Sequence, residues 1–321
     1  MRALVPDTLG AALLQARNPD GGWGYRARKQ SRIEPTAFAL IALAAARGAH
    51  GPAPTSELAA ARGAHGPAST SERSAVAAGL DAPAIFASFP RRDGLLIDPG
   101  ATHPNLAFNA VAALAAQYPP LGARETAADL TGVLLRHRGV MLPPSKIIVQ
   151  DNTLVGWPWL DGTFAWVEPT AWCLMALKRW TEGRRSADAA ERIDHAERLL
   201  RDRMCRGGGW NYGNRLVMDK ALRPYASTTA LALLALQDAP KDAAVTASRG
   251  TLKTLCARER SGYALALAAL AFARLGAPDA EVEAALAGVW DETSFGGEVV
   301  ATALALYVAS GREGGYEAFR I

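Results

Sequence analysis

Six stretches rich in Ala and Leu recur along the chain, alternating with charged amphipathic stretches, and this alternation restricts the fold more than any other feature. The clearest stretches open polar and continue apolar: EPTAFALIALAAA at 34–46, EPTAWCLMALKRW at 168–180 and STTALALLALQDA at 227–239. HPNLAFNAVAALAAQ from 103, SGYALALAALAFARLG from 261 and GGEVVATALALYVASG from 296 share that character. A surface helix reserves one face for charge, so helices apolar on nearly every face are surrounded by protein. The six are therefore inner helices. Between them, at about 7–17, 75–89, 124–138, 187–205, 242–257 and 279–290, Leu, Ala or Val recurs with helical period among Arg, Asp and Glu, which describes outer helices.

One outer and one inner helix form a hairpin that buries its apolar face only against neighbouring hairpins. Six hairpins closing on themselves leave no terminal repeat exposed. The expectation is an all-α fold, an α/α toroid of about six helical hairpins with inner and outer helix rings, formed by residues 1–321 as a single domain. Pro35 and Pro169 suit a first helical position, where a missing N–H costs nothing, and the Glu before each favours the positive end of the helix dipole. Ser227 with Thr228 is expected to cap the fourth inner helix.

A different repeat interrupts the pattern. AAARGAHGPAPTSE at 44–57 returns as AAARGAHGPASTSE at 59–72, a near-identical duplication rich in Gly, Pro, Ser and Thr. It predicts a low-complexity surface loop at about 47–73, since long insertions in loops cost little free energy.

Composition narrows the function. The chain has 321 residues, half of them apolar, enough for a large core. Its longest apolar run, Tyr263 to Ala273, is too short to cross a bilayer, and the N-terminal segment lacks the continuous apolar core of a signal peptide. A cytoplasmic protein is expected, with peripheral membrane contact left open and no protein partner indicated. A net charge of +4, with arginines scattered among acidic residues, argues against nucleic acid as a partner. Cys173, Cys205 and Cys256 stand far apart, so neither a disulfide framework nor a close metal pair is expected. No cofactor and no metal are indicated.

The first hairpin contains LLQARNPDGGWGY, in which Gln15 is followed by Gly21, Gly22 and Trp23. It resembles the Q-x-G-x-W repeat of squalene and oxidosqualene cyclases. GGGWNYG at 207–213 keeps Gly208, Gly209 and Trp210, and SFGGE at 294–298 is a fainter copy. On these motifs the chain is similar to the terpene-cyclase and protein-prenyltransferase toroid superfamily, as a small prenyltransferase and squalene-oxidase repeat protein. The resemblance implies structural roles for Gln15, Gly22, Trp23, Gly209 and Trp210, the Gln amide capping backbone groups and the Trp packing on it. It also implies an isoprenoid or other hydrophobic ligand in the central cavity. The catalytic signatures of the superfamily are absent: laying its D-x-D-D pattern on WVEPTA places Trp166 at the first Asp, Glu168 at the acid and Pro169 at the last, and there is no D-x-C zinc pair. Because EPT recurs at Glu34, a helix-start role explains both glutamates without catalysis.

Unusual chemistry concentrates between Gln150 and Trp172, where Trp157, Trp159, Trp166 and Trp172 stand among Asp151, Asp161 and Glu168. Loops entering inner helices form one rim of a toroid's cavity. These tryptophans are therefore expected to bind substrate, together with Tyr212, Asn214, Asp219 and Tyr225 from a second rim segment. Glu168 and Asp161 are the candidate catalytic acids. Aromatic walls suit an isoprenoid or a sugar ring alike, and Asp161 with Glu168 would form an acid–base pair over a sugar. Three readings follow: a lipid or isoprenoid enzyme or binder, a carbohydrate-active toroid, or a noncatalytic protein-binding scaffold. The competing structural role for the tryptophans is to glue turns together, as Trp23 and Trp210 do.

Overall fold

The computed structural model describes residues 3–48, 80–143, 149–183, 185–311 and 315–321. Most of the duplicated loop lies outside the described residues. Among the described residues, six outer helices, α1 (Pro6–Gln15), α3 (Ala82–Ala87), α5 (Arg124–Arg136), α7 (Ala187–Asp202), α9 (Ala243–Cys256) and α11 (Ala280–Thr293), alternate with six inner ones. The inner helices are α2 (Ile33–Gly48), α4 (Leu106–Ala116), α6 (Val167–Trp180), α8 (Ala226–Ala235), α10 (Gly262–Arg274) and α12 (Val299–Ser310). Two short antiparallel ribbons, β1 (Arg91–Arg92) with β2 (Leu95–Leu96) and β3 (Leu216–Val217) with β4 (Lys220–Ala221), decorate the connecting loops.

Each inner helix packs on the next, and α12 packs on α2, so the inner ring closes. Outer helices sit against it: α7 turns Ala189, Ile193, Ala196, Leu199 and Leu200 inward, whereas α12 is buried on every face from Val299 to Val308. The chain therefore has the α/α toroid fold.

The inner helices run parallel. At one rim their C-terminal ends are tied together: Gln117 Nε2 donates to Ala176 O at 3.0 Å, Lys178 Nζ to Ala235 O at 3.0 Å, and Arg274 Nε to Gln237 Oε1 at 2.7 Å. Here Phe319 is fully buried and touches Phe38 of α2, Trp172 of α6 and Tyr307 of α12. Since α6 and α12 are not ring neighbours, a side chain touching both stands inside the ring. Arg179 holds the carbonyls of Glu317 and Arg320, and Gln237 Nε2 holds that of Phe319 at 2.8 Å, so this terminal turn is a fixed plug.

At the other rim a staple joins each of several hairpins. Trp23, Trp157 and Trp210 are fully buried, and their indole N–H groups donate to Leu13 O, Leu134 O and Leu200 O at the ends of the preceding outer helices, at 2.6–2.8 Å. Their backbone N–H groups donate to Thr36, Thr170 and Thr229 Oγ1 at 2.9–3.0 Å. Each threonine is the fourth residue of its inner helix. In α4 the fourth residue is Asn109, whose amide exchanges hydrogen bonds with the backbone of Leu96. The glycine before each Trp is required by space: a Cβ on Gly156 would stand 2.5 Å from Thr170 Oγ1, and one on Gly22 2.8 Å from Ser31 Oγ.

The staples correct several expectations. Pro35 and Pro169 are third, not first, in their helices, still inside the turn whose N–H groups have no helical partner. Thr228 does not cap α8: its hydroxyl, like that of Thr229, donates to Trp210 O. Gln15 is exposed at the end of α1, and the guanidinium over the Trp23 ring belongs to Arg17, 5.3 Å from its centroid. Gly22, Trp23, Gly209 and Trp210 lie within the staples.

Candidate functional site

The first N–H of an inner helix needs an acceptor, and the loop of the next hairpin supplies it. Val299 N donates to Tyr25 O, Ile33 N to Asp98 Oδ1, Leu106 N to Trp159 O and Val167 N to Tyr212 O, at 2.8–3.0 Å. The four acceptor residues each follow a staple residue (Trp23, Leu96, Trp157, Trp210) by two positions. One register thus repeats round the ring and sets Tyr25, Asp98, Trp159 and Tyr212 at equivalent places on its mouth. N-caps add Trp166, Tyr225 and Glu298, and second helical residues add Glu34, Glu168 and Tyr263.

The acidic groups sense one another across the mouth. Burial pushes the Glu34 carboxyl up to about 7, opposed by the Tyr25 hydroxyl donating to Oε2 at 2.7 Å and reinforced by Glu168, Glu298 and Asp98. Burial likewise pushes Glu168 up to about 7 and raises Glu298 and Asp98. The Tyr263 phenol is raised by burial and then by the charges of Glu168, Glu34 and Glu298. Carboxyls at the starts of α2, α6 and α12 and a neutral phenol from α10 are coupled in this way at the mouth.

The floor of the mouth is one turn down. Phe38 and Trp172 follow Glu34 and Glu168 by four residues, on the same helix face, and their rings lie 5.6 Å apart against Phe319. The mouth is consequently a cup about one helical turn deep, on the order of 5 Å.

Trp159, Trp166, Glu168, Tyr212 and Tyr225 come together here. Rings stack in series, Trp166 to Trp159 at 5.5 Å, Trp159 to Tyr212 at 6.2 Å and Tyr212 to Tyr225 at 5.6 Å, forming a half-exposed ridge beside the carboxyls. Trp157 and Trp172 were expected on the rim and are core residues instead. Trp157 is a staple, its ring covered by Arg192 at 3.7 Å, and Trp172 is the floor. Asp161 also departs from expectation: it is largely exposed and pairs with His137 Nδ1 at 3.3 Å, whereas the carboxyl that senses the charge of Glu168 is Glu34. Asn214 and Asp219 line a separate groove of about 620 Å³, bounded by residues 140–142, 149–154 and 164–166 and by the β3–β4 ribbon.

Sequence reasoning passed over Tyr25, Asp98, Tyr263 and Glu298 as site residues. The two-residue offset from each staple would have found Tyr25; Asp98 is hidden because its staple residue is Leu96. Glu34 was noticed, but its recurrence counted as evidence for a helix-start device, whereas recurrence at the second helical position is what brings both glutamates to one mouth. Among the described residues no group of His, Cys, Asp and Glu has the arrangement of a metal site, the three cysteines are buried and free, and no helix is long and apolar enough to cross a membrane.

No protein-family model matches the chain, and no curated protein sequence does. Solved structures do. A GH76 α-mannanase of Bacteroides thetaiotaomicron matches with a TM-score of 0.54 at 11% identity, over 98% of this chain and 96% of that one. An inactive variant of an α-1,6-mannanase of Salegentibacter sp. HEL1_6, in complex with α-1,6-mannotetrose, matches with a TM-score of 0.53 at 10% identity, over 96% and 99%. The type II terpene cyclase MstE of Scytonema matches at 17% identity over 77% and 78%, with a TM-score of 0.36. At 10–11% identity the mannanases establish the fold alone, an α/α toroid spanning nearly the whole chain.

Proposed function

We propose that the chain is a carbohydrate-active toroid, one domain over its length, that binds a polyhydroxylated ring in the cup and acts on its glycosidic bond by acid–base chemistry between Glu34 and Glu168. The observation that carries this reading is the pair itself: two carboxyls at the same repeat position of α2 and α6, each four residues above the touching rings of Phe38 and Trp172, both raised to about 7. With both raised to about 7 by burial, each carboxyl is partly protonated near neutral pH, so one member can donate to a leaving oxygen while the other accepts from water or attacks. Tyr25, hydrogen-bonded to Glu34, favours its ionised form and makes Glu34 the base and Glu168 the acid. The ridge of Trp159, Trp166, Tyr212 and Tyr225 offers π-faces of the kind sugar rings stack on. Shallow depth supports the same reading, because Phe38, Trp172 and Phe319 occupy the lumen that a long isoprenoid would need. That the mannanases share the fold is consistent with it.

Turnover of a panel of p-nitrophenyl glycosides and α-linked oligosaccharides tests the proposal. Activity is expected to peak near pH 7, and Glu168→Gln and Glu34→Gln each to lower kcat by about 100-fold or more with folding retained. A panel that is neither bound nor turned over refutes it.

A second reading rests on the groove of about 620 Å³, which is mostly apolar: an isoprenoid held there, outside the lumen. Binding of farnesyl diphosphate that is unaffected by Glu34→Gln and Glu168→Gln would favour that reading.

A further inference from the structure

The groove and the cup share a wall. Trp166 is the N-cap of α6, two residues before Glu168, yet its ring lines the groove. Gly213 lies against that ring: a Cβ there would stand 3.1 Å from Trp166 Cε3, so the absence of a side chain lets the loop close tightly on the indole. From Trp166 the ridge continues through Trp159 to Tyr212, whose carbonyl accepts from Val167 N at 2.9 Å beside Glu168. A ligand seated over the carboxyls and crossing the ridge therefore enters the groove.

What the groove offers there is hydrocarbon. Val140, Leu142 and Phe164 face it from one side, Leu216, Val217 and Met218 from the other. Several are exposed well beyond the norm for such residues, Met218 at 91%, Phe164 at 49%, Val140 at 43% and Val217 at 41%. A contiguous exposed apolar surface of this kind marks a binding surface. Apart from Asp219 at the ribbon's tip, the polar side chains along it have protein partners: Gln150 Nε2 donates to Asn214 Oδ1 at 2.6 Å, and Arg203 is held by Asp202, by Asp151 O at 3.1 Å and by Asn152 Oδ1 at 3.2 Å. A polar ligand would have to break these pairs, whereas an alkyl chain leaves them intact and covers the apolar atoms.

We propose that the ligand is an amphiphile, a glycoside whose sugar sits in the cup and whose hydrocarbon aglycone crosses the aromatic ridge into the groove. This rests on the carbohydrate reading of the cup. The established pocket range for drug-sized ligands, about 300–1,000 Å³, brackets the groove, so a chain of eight or more carbons is accommodated. In this arrangement the scissile bond, which joins sugar to chain, lies at the ridge beside Glu168.

The test uses methyl, hexyl and octyl glycosides of the sugar best bound in the panel above, below their micellar concentrations, with isothermal titration of the full chain. Burying a methylene is worth about fourfold in affinity, so octyl is expected to bind at least 100-fold tighter than methyl. Val217→Asp and Met218→Asp, both on exposed positions that leave the fold unstrained, are expected to reduce that gain to within about threefold while methyl glycoside binding is unchanged. Methyl glycoside turnover that is lost in Glu168→Gln identifies the cup as the sugar site. Equal affinity for methyl and octyl glycosides overturns the inference and leaves the carbohydrate reading standing. Octanol binding as tightly as octyl glycoside, with no effect of Glu168→Gln, overturns both.

Discussion

Replacing Glu168 by Gln is expected to change how stability depends on pH, in a direction opposite to that of an ordinary carboxylate. Glu168 has an ordinary value of 4.5 in the unfolded chain and about 7 in the folded one, through burial at the mouth. Between those values the folded chain holds a proton that the unfolded chain has lost, so stability falls as pH rises. The contribution is fully present below pH 4.5 and is gone once pH passes about 7. A difference of that size corresponds to about 3 kcal/mol as an upper limit, because water reaches the cup and screens the charge. Gln keeps the shape of the protonated acid and does not titrate. Glu168→Gln and the wild type should therefore be equally stable at pH 4.5, within about 0.5 kcal/mol, and the variant should be the more stable by about 1–3 kcal/mol at pH 8. Urea unfolding followed by circular dichroism at 222 nm, at pH 4.5, 6, 7 and 8, measures this. The slope for Glu34 is also expected to soften in the variant, since a neighbouring charge that raises it has gone. A variant whose advantage does not grow with pH, or which loses ground to the wild type as pH rises, refutes the desolvated-carboxyl account and with it the acid–base pair.

Other outcomes follow from the ring itself. Thr170→Val leaves the buried N–H of Trp157 without its 3.0 Å acceptor and should cost about 1–3 kcal/mol in urea midpoint analysis, with Thr36→Val and Thr229→Val costing similar amounts because the staple is the same. Phe319→Ala empties the end of the lumen and should cost about 3–5 kcal/mol, with the cavity admitting xenon or benzene in a crystal. Lys178, almost fully buried between Glu197 at 2.8 Å and Asp238 at 2.7 Å, ties α6 to α7 and to the end of α8; Lys178→Met should cost about 3 kcal/mol, with less loss when Asp238→Asn is added, as a double-mutant cycle would read.

The architecture was legible because burial on every face leaves an unmistakable composition. Ala- and Leu-rich segments such as 299–308 have no polar face to present, and the segments between them do. Their order, outer then inner six times, survives in the helices. The site was legible only in part. Trp157 sits in a tryptophan-rich run that hides its likeness to Trp23, although Gly22-Trp23 precedes Thr36 by the same interval as Gly156-Trp157 precedes Thr170. That interval, read first, separates the buried tryptophan from the exposed Trp159 two residues on. Asp161 was paired with Glu168 because they are near in sequence. In a ring, the partner comes from another turn of the repeat, and Glu34 is far along the chain. Aromatic density does not distinguish rings that glue hairpins, such as Trp157, from half-exposed ones at the mouth, such as Trp159.

Closure of the inner ring by α12 against α2 sets a schedule for biosynthesis. The two helices are separated by 250 residues of intervening chain, which a ribosome takes about 12–50 s to add at ordinary elongation rates. Throughout that interval the apolar flank of α2 has no covering neighbour, and α1, which also packs on α12, lacks part of its seat. Nascent chains are thus most prone to association before the last hairpin emerges, and a polypeptide halted ahead of Val299 presents an open, sticky crescent to chaperones in place of a sealed ring.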